Sequence, residues 1–182
     1  MKTCTVSVGR DVRTCSSAVG LNISSSFTPI GTYSICSNGT ASKYSVKPMH
    51  EPNGSTVYAR WASHIVGNVY FHSIAVGSNS HYALRAKDYN KLGSPASAGC
   101  VRMTVADAKW IYDHAAVGTK VKISVGKSSK PGPLGKNKAI KISSSIKYDP
   151  TDSYISDAQK KKDYKAKRIS GYITKSGKKV GC

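Results

Sequence analysis

The sequence predicts a mainly β domain carrying one clear α-helix and followed by a basic tail. Short stretches with apolar and polar residues in alternation recur over the first two-thirds, as half-buried strands require. Glycines and Asn-Gly pairs separate them, supplying the positive φ that tight turns need. A single stretch near residue 105 switches to helical period. Thr5-Val-Ser-Val8, Thr32-Tyr-Ser-Ile35, Thr56-Val-Tyr-Ala59, Val69-Tyr-Phe71 and Val121-Lys-Ile-Ser-Val125 read as strands. Gly9, Gly20, Gly31, Asn38-Gly39, Asn53-Gly54 and Gly67-Asn68 read as turns. The helix is expected from Val105 to about Ala116, with Thr104 as N-cap and Asp107 reaching back to it. Val105, Ala108, Ile111, Tyr112 and Ala115 form its apolar stripe, and Gly118 suits the left-handed position beyond its end. Cys100 would then lie just before the helix.

Of the formal charge of +19, residues 1–126 supply +8 (13 Lys/Arg, 5 Asp/Glu) and residues 127–182 supply +11 (15 and 4). The partition expected from this is a domain over residues 1–142 and a basic, flexible tail over residues 143–182, after the Pro/Gly-rich breaker Lys127–Gly135. So large a charge concerns partners: nucleic acid, anionic membrane and anionic wall polymer all qualify. The longest apolar runs are only a few residues, far short of the roughly 20 that a spanning helix needs. Neither Gly-X-Y triplets nor sustained heptads occur, which excludes collagen-like and coiled-coil chains. Met1-Lys2 leads into an alternating Thr/Val stretch with no apolar h-region, so a cytosolic protein or an export signal outside this stretch is expected. The five cysteines, at 4, 15, 36, 100 and 182, include no C-x-x-C pair, so a structural metal site is not expected. Cys4 and Cys15 could bridge a hairpin or pack in the core. Asn22, Asn38 and Asn53 begin Asn-x-Ser/Thr sequons but read as turn residues.

Cys100 is the candidate nucleophile. A thiol at a helix N-terminus feels the positive end of the dipole, which favours thiolate, and Gly99 lets a substrate carbonyl approach the backbone. Arg102 adds a cation. The competing reading is a small buried hydrophobe. A thiol nucleophile needs a base, and the histidines rank His72, at a strand end, ahead of His81 and His64; His114 suits helix capping and His50 a solvated loop.

Ser97-Ala-Gly-Cys-Val-Arg-Met103, followed by Asp107, Ala108, Trp110 and Gly118-Thr-x-Val-x-Ile123, resembles the YkuD-type L,D-transpeptidase domain, whose motif is Ser/Thr-His-Gly-Cys, a hydrophobic residue, then Asn or Arg. Thr28-Pro-Ile-Gly-Thr-Tyr33 is similar to that family's Thr-Pro-x-Gly turn, and Phe71-His72-Ser73 to its strand-end His-Ser. Asp88–Gly93, Ala108–Tyr112 and Pro131–Gly135 resemble the Gram-positive branch. Ala98 stands where the family usually has a second histidine. The 24 residues between His72 and Ser97 exceed the family's usual spacing, which the 15 after His81 fit better. Segment Ser78–Lys87 reads as an inserted loop that reconciles His72 with the motif.

The resemblance implies a YkuD-like β-sandwich and a cysteine acyltransferase. Cys100 would be nucleophile, His72 base, and the Ser73 carbonyl would orient the imidazole. The Gly99 and Cys100 N–H groups would form the oxyanion hole. Arg102, Ser97, Ala98, Tyr70 and Trp61 would line the substrate site, with His81 as alternative base. The implied reaction attacks the third residue of a peptidoglycan tetrapeptide stem, releases D-Ala, and passes the acyl group to an amine (3→3 cross-link), to water or to a D-amino acid. No metal or cofactor is implied. Such work belongs outside the cytoplasm, in the cell wall or secreted. The tail's lysines, interleaved with Tyr148, Tyr154, Tyr164 and Tyr172, suit a solvated segment, an anchor on anionic wall polymer or, least well, nucleic-acid binding. A wall-binding module without turnover remains the alternative function.

Overall fold

A computed structural model of the chain describes residues 4–9, 28–36, 43–51, 53–124 and 138–181. Cys15, Cys182, Asn22, Asn38, Gly20 and the Lys127–Gly135 breaker lie outside them.

The architecture is mainly β. A four-stranded sheet runs in the order β2 (Lys43–His50), β3 (Thr56–Val66), β4 (Val69–Ser73), β5 (Val101–Met103), and β1 (Gly31–Ser34) pairs with β6 (Lys120–Ile123) as an antiparallel ribbon. β2 escaped the sequence reading because Pro48 sits inside it; it is an edge strand, where a missing N–H is tolerated. β3 runs seven residues beyond the expected Ala59, through Trp61 at φ +54°, a conformation strained for a bulky residue. The expected first strand is instead a flanking segment: Ser7 exchanges two 2.8 Å backbone hydrogen bonds with Arg102, so both edges of β5 are held.

α2 (Val105–His114) is the expected helix, ending two residues early. Thr104 Oγ1 accepts the Asp107 N–H at 3.2 Å and donates to Asp107 Oδ2 at 2.8 Å. Gly118, at φ +87°, lies in the following turn and donates its N–H to the Ile35 carbonyl rather than closing the helix. The inner face of α2, through Ala108 and Ile111, joins Ile65, Val69, Val101 and Met103 of the sheet with Tyr33, Val121 and Ile123 of the ribbon in one apolar cluster.

β4 and β5 are parallel, so the chain must cross over between them. That crossover, residues 74–100, contains α1 (Ala86–Tyr89) and explains the long spacing from His72 to Ser97. It is a core element: Ile74, Val76, Leu84, Ala86, Tyr89 and Leu92 are all buried in a second cluster.

The partner of that cluster corrects the sequence reading. Residues 143–181 do not form a flexible tail. They fold into α3 (Asp157–Lys165) and the hairpin β7 (Tyr172–Ile173), β8 (Lys179–Val180). Ile146, Tyr148, Ile155, Ile169 and Tyr172 pack beside Ile140 and Ile142 against the crossover, so a boundary at 142 would cut through one core. The charge run concealed this, because apolar residues spaced among many lysines still suffice to bury one side. The segment also caps α2 from outside: Asp149 Oδ2 accepts the Val105 N–H at 2.8 Å, and Thr151 Oγ1 the Ala106 N–H at 3.1 Å.

Candidate active site

Two parallel strands assemble the site. The pairs Phe71–Val101, His72–Arg102 and Ser73–Met103 put Tyr70 across from Cys100. Because side chains alternate along a strand, Tyr70, His72, Cys100 and Arg102 share the face opposite the α2 cluster. The half-buried Cys100 Sγ lies 3.4 Å from the Asn68 carbonyl and accepts the Tyr70 backbone N–H.

His72 is 1% exposed. Its Nδ1 is 2.5 Å from the Ser73 carbonyl oxygen. A carbonyl only accepts, so Nδ1 carries the hydrogen and Nε2 keeps its lone pair. Ser73 is itself fixed, its hydroxyl accepting the Arg60 N–H at 2.9 Å and donating to the Ile74 carbonyl. Burial, reinforced by the Arg102 charge, holds His72 down at about 4 against the upward pull of the Ser73 bond. Burial likewise pushes the Cys100 thiol up, against the Tyr70 N–H and the Arg102 and Lys47 charges that favour thiolate. The resting pair at neutral pH is therefore thiol and imidazole. The expected activation by a helix dipole is absent: β5 separates Cys100 from α2, whose N-terminus is already capped by Thr104, Asp149 and Thr151.

The fully buried Ser97 is a structural staple. Its hydroxyl accepts the Gly99 N–H at 3.0 Å and donates to the Cys100 carbonyl at 2.6 Å. Gly99 adopts φ +126°, a value that L side chains rarely take, and its carbonyl accepts from Thr28 Oγ1, which also accepts the Gly9 N–H. This corrects the expected oxyanion hole, since the Gly99 N–H is turned to Ser97. Ala98 is exposed on the same loop.

Arg102 and Tyr70 reach the site. Trp61 does not: it packs against Tyr112 of α2, 5.2 Å between ring centres, beneath Lys109. His81 is also drawn away, bonded to Asp152 at 2.5 Å and stacked on Tyr154 at 3.9 Å. His64 is buried against the Gly67 carbonyl and the Tyr70 ring, and His114 caps α2 by donating to the Trp110 carbonyl. Lys47 was missed by sequence reasoning; its side chain reaches the Tyr70 ring from β2, a strand that was itself missed. Asn53 is a turn residue as expected, its Oδ1 accepting the Ser55 N–H. Among the described residues no three His, Cys, Asp or Glu side chains converge as metal ligands, and no helix is long and apolar enough to cross a membrane.

A cysteine just before β5 and a tautomer-locked histidine on β4 lie on one face of the sheet, and these are the residue types that thiol acyl transfer uses. The model of the YkuD L,D-transpeptidase catalytic domain matches residues 1–123, and the chain belongs to that family. Over 71 residues it is 37% identical to "Putative L,D-transpeptidase YciB" of Bacillus subtilis, a match covering 39% of this chain and 34% of that one. It is also similar to solved L,D-transpeptidases of Mycobacterium smegmatis (20% identity, TM-score 0.46, covering 69% of this chain and 49% of that one) and Mycobacterium tuberculosis (23%, 0.45, 67% and 42%). The chain thus spans half or less of these relatives' lengths.

Proposed function

We propose that this domain is a peptidoglycan L,D-transpeptidase with Cys100 as nucleophile and His72 as base. The observation that carries the reading is the β4–β5 pairing, which sets a buried imidazole with its Nε2 lone pair available on the same face as the thiol. Cys100 Sγ attacks the carbonyl of the third stem residue while its proton passes to Nε2; the C–N bond to the terminal D-Ala breaks, and the imidazolium protonates the departing amine. The thioester is then opened by an acceptor amine, giving a 3→3 cross-link, or by water. Transfer concerted with attack suits a resting thiol and imidazole, since neither ion need form in advance. With the Gly99 N–H committed to Ser97, the Cys100 N–H takes the oxyanion, and Arg102 receives the substrate. Its buried Nε has no hydrogen-bond partner among the described residues.

Peptidoglycan as substrate places the protein's work outside the cytoplasm, in the wall or secreted. The C-terminal segment supports wall adhesion: Lys147, Lys161, Lys162, Lys165, Lys167, Lys175, Lys178 and Lys179 are exposed, whereas Asp149, Asp152 and Asp163 are buried. That segregation leaves a cationic surface suited to an anionic wall polymer.

Intact mass after incubation with a disaccharide-tetrapeptide tests the reading. The parent is expected to gain the acyl group and release D-Ala, and Cys100→Ala and His72→Ala to do neither, while His81→Ala retains both. A silent parent, or full activity in Cys100→Ala, rejects it.

A further inference from the structure

Two cations approach Cys100, and among the described residues neither has an ion-pair partner. Arg102 comes from β5 itself and Lys47 from the edge strand β2. Among the described residues no carboxylate lies within 4 Å of the Lys47 ammonium or the Arg102 guanidinium. Lys47 is held in place: its Nζ sits 4.4 Å from the centre of the Tyr44 ring and 4.8 Å from that of Tyr70, each a cation–π contact. The Tyr70 N–H reaches the Cys100 sulfur, and the Lys47 charge beside the Tyr70 ring acts on the same thiol, so the ammonium lies near the reaction centre. With a neutral thiol and imidazole at rest, two positive charges face the reaction centre, and among the described residues no carboxylate is paired with either.

We propose that Lys47, clamped between the Tyr44 and Tyr70 rings on β2, is the residue that recognises a carboxylate on the acyl donor, namely the free C-terminal carboxylate of the residue that leaves. The inference rests on the function proposed above and deepens it. That carboxylate lies only two bonds beyond the scissile nitrogen, so a donor whose carbonyl is at Sγ presents it to the rim of the site. Lys47 thereby makes the domain selective for a peptide ending one residue past the attacked carbonyl, and against donors that are amidated or extended there.

The test compares alkylation of Cys100 by iodoacetate, an anion, with alkylation by the similarly sized neutral iodoacetamide, in the parent, Lys47→Gln, Lys47→Arg and the control Lys87→Gln, an exposed lysine of α1. Lys47→Gln is expected to lower the iodoacetate-to-iodoacetamide rate ratio by about tenfold. Lys47→Arg should retain most of it and Lys87→Gln all of it. A role confined to stabilising thiolate or packing the strand would slow both reagents alike and leave the ratio unchanged; that result overturns the proposal. A second arm measures D-Ala release from a tetrapeptide stem against D-alaninamide release from its C-terminal amide. Preference for the acid should fall about tenfold in kcat/KM in Lys47→Gln, chiefly through KM; an unaltered preference overturns the carboxylate assignment. If the parent turns over neither peptide, the transpeptidase reading fails, while the alkylation ratio still decides whether Lys47 receives an anion at Cys100.

Discussion

Ser97 illustrates how a motif residue can act without touching substrate. Its hydroxyl ties the Gly99 N–H to the Cys100 carbonyl inside a fully buried turn. Ser97→Ala strands a buried donor and acceptor, so a loss of about 2 kcal/mol in stability is expected. Acylation should slow more than tenfold, because the thiol loses its fixed position, and Ser97→Thr, which keeps the hydroxyl, should restore both. Thermal melts and adduct rates on the two variants check this. The titrating groups make a second prediction. The unfolded chain protonates histidine near 6.5, whereas folded His72 refuses the proton until about 4. Its contribution is therefore lost as pH falls from 6.5 to about 4, by about 3 kcal/mol. Asp149 acts oppositely: burial, outweighing its hydrogen bonds to Thr151 and Val105, raises it from 3.8 to about 6. The folded state thus binds a proton first, and stability rises by about 3 kcal/mol as pH falls through that window. The two effects nearly cancel in the parent. Asp149→Asn should expose the His72 slope, its melting temperature dropping steeply between pH 6.5 and 4, and His72→Gln should show the reverse. Variants that both track the parent across that range would disprove the assignment.

At the scale of elements, α2 depends on a segment 44 residues away in sequence. Thr104 serves the Asp107 N–H, but the Val105 and Ala106 N–H groups are met by Asp149 and Thr151. Replacing Asp149 by Ala leaves the Val105 N–H buried without its acceptor, and a loss of about 1–3 kcal/mol is expected in urea unfolding. Thr104→Ala should cost about 1 kcal/mol. The helix itself was legible, because its cap and 3.6-residue stripe are local. The capping carboxylate was not, because nothing in the local pattern of Asp149-Pro150 tells that it meets another element. Equally, β2 was hidden by Pro48, whose presence reads as a break until the strand is known to be an edge.

For the molecule as a whole, the crossover and the C-terminal segment form one core. Ile155, Ile169 and Ile146 are 0%, 2% and 3% exposed. Ile155→Ala is expected to cost about 2–5 kcal/mol. A chain ending at residue 142 should lose cooperative unfolding and, with the crossover unsupported, the acylation of Cys100; a cooperative, active truncated chain would show the segment to be dispensable. Charge segregation belongs to the same scale. With three of its four acids buried and paired or capping, the segment turns nearly all its lysines outward.

The sequence by itself determined the mainly β class, the α2 helix with its cap, the Cys100 motif and the family to which it points, since these rest on period, spacing and residue type within short windows. The tertiary structure alone decided which groups share a face. Parallel pairing of β4 with β5 sets His72 beside Arg102, and Asp152 draws His81 aside. Lys47 and Tyr44 arrive from a strand with no local signature, and burial, not a helix dipole, governs the thiol. Pairing, burial and long-range hydrogen bonds depend on residues tens of positions apart, and a local pattern carries no record of them.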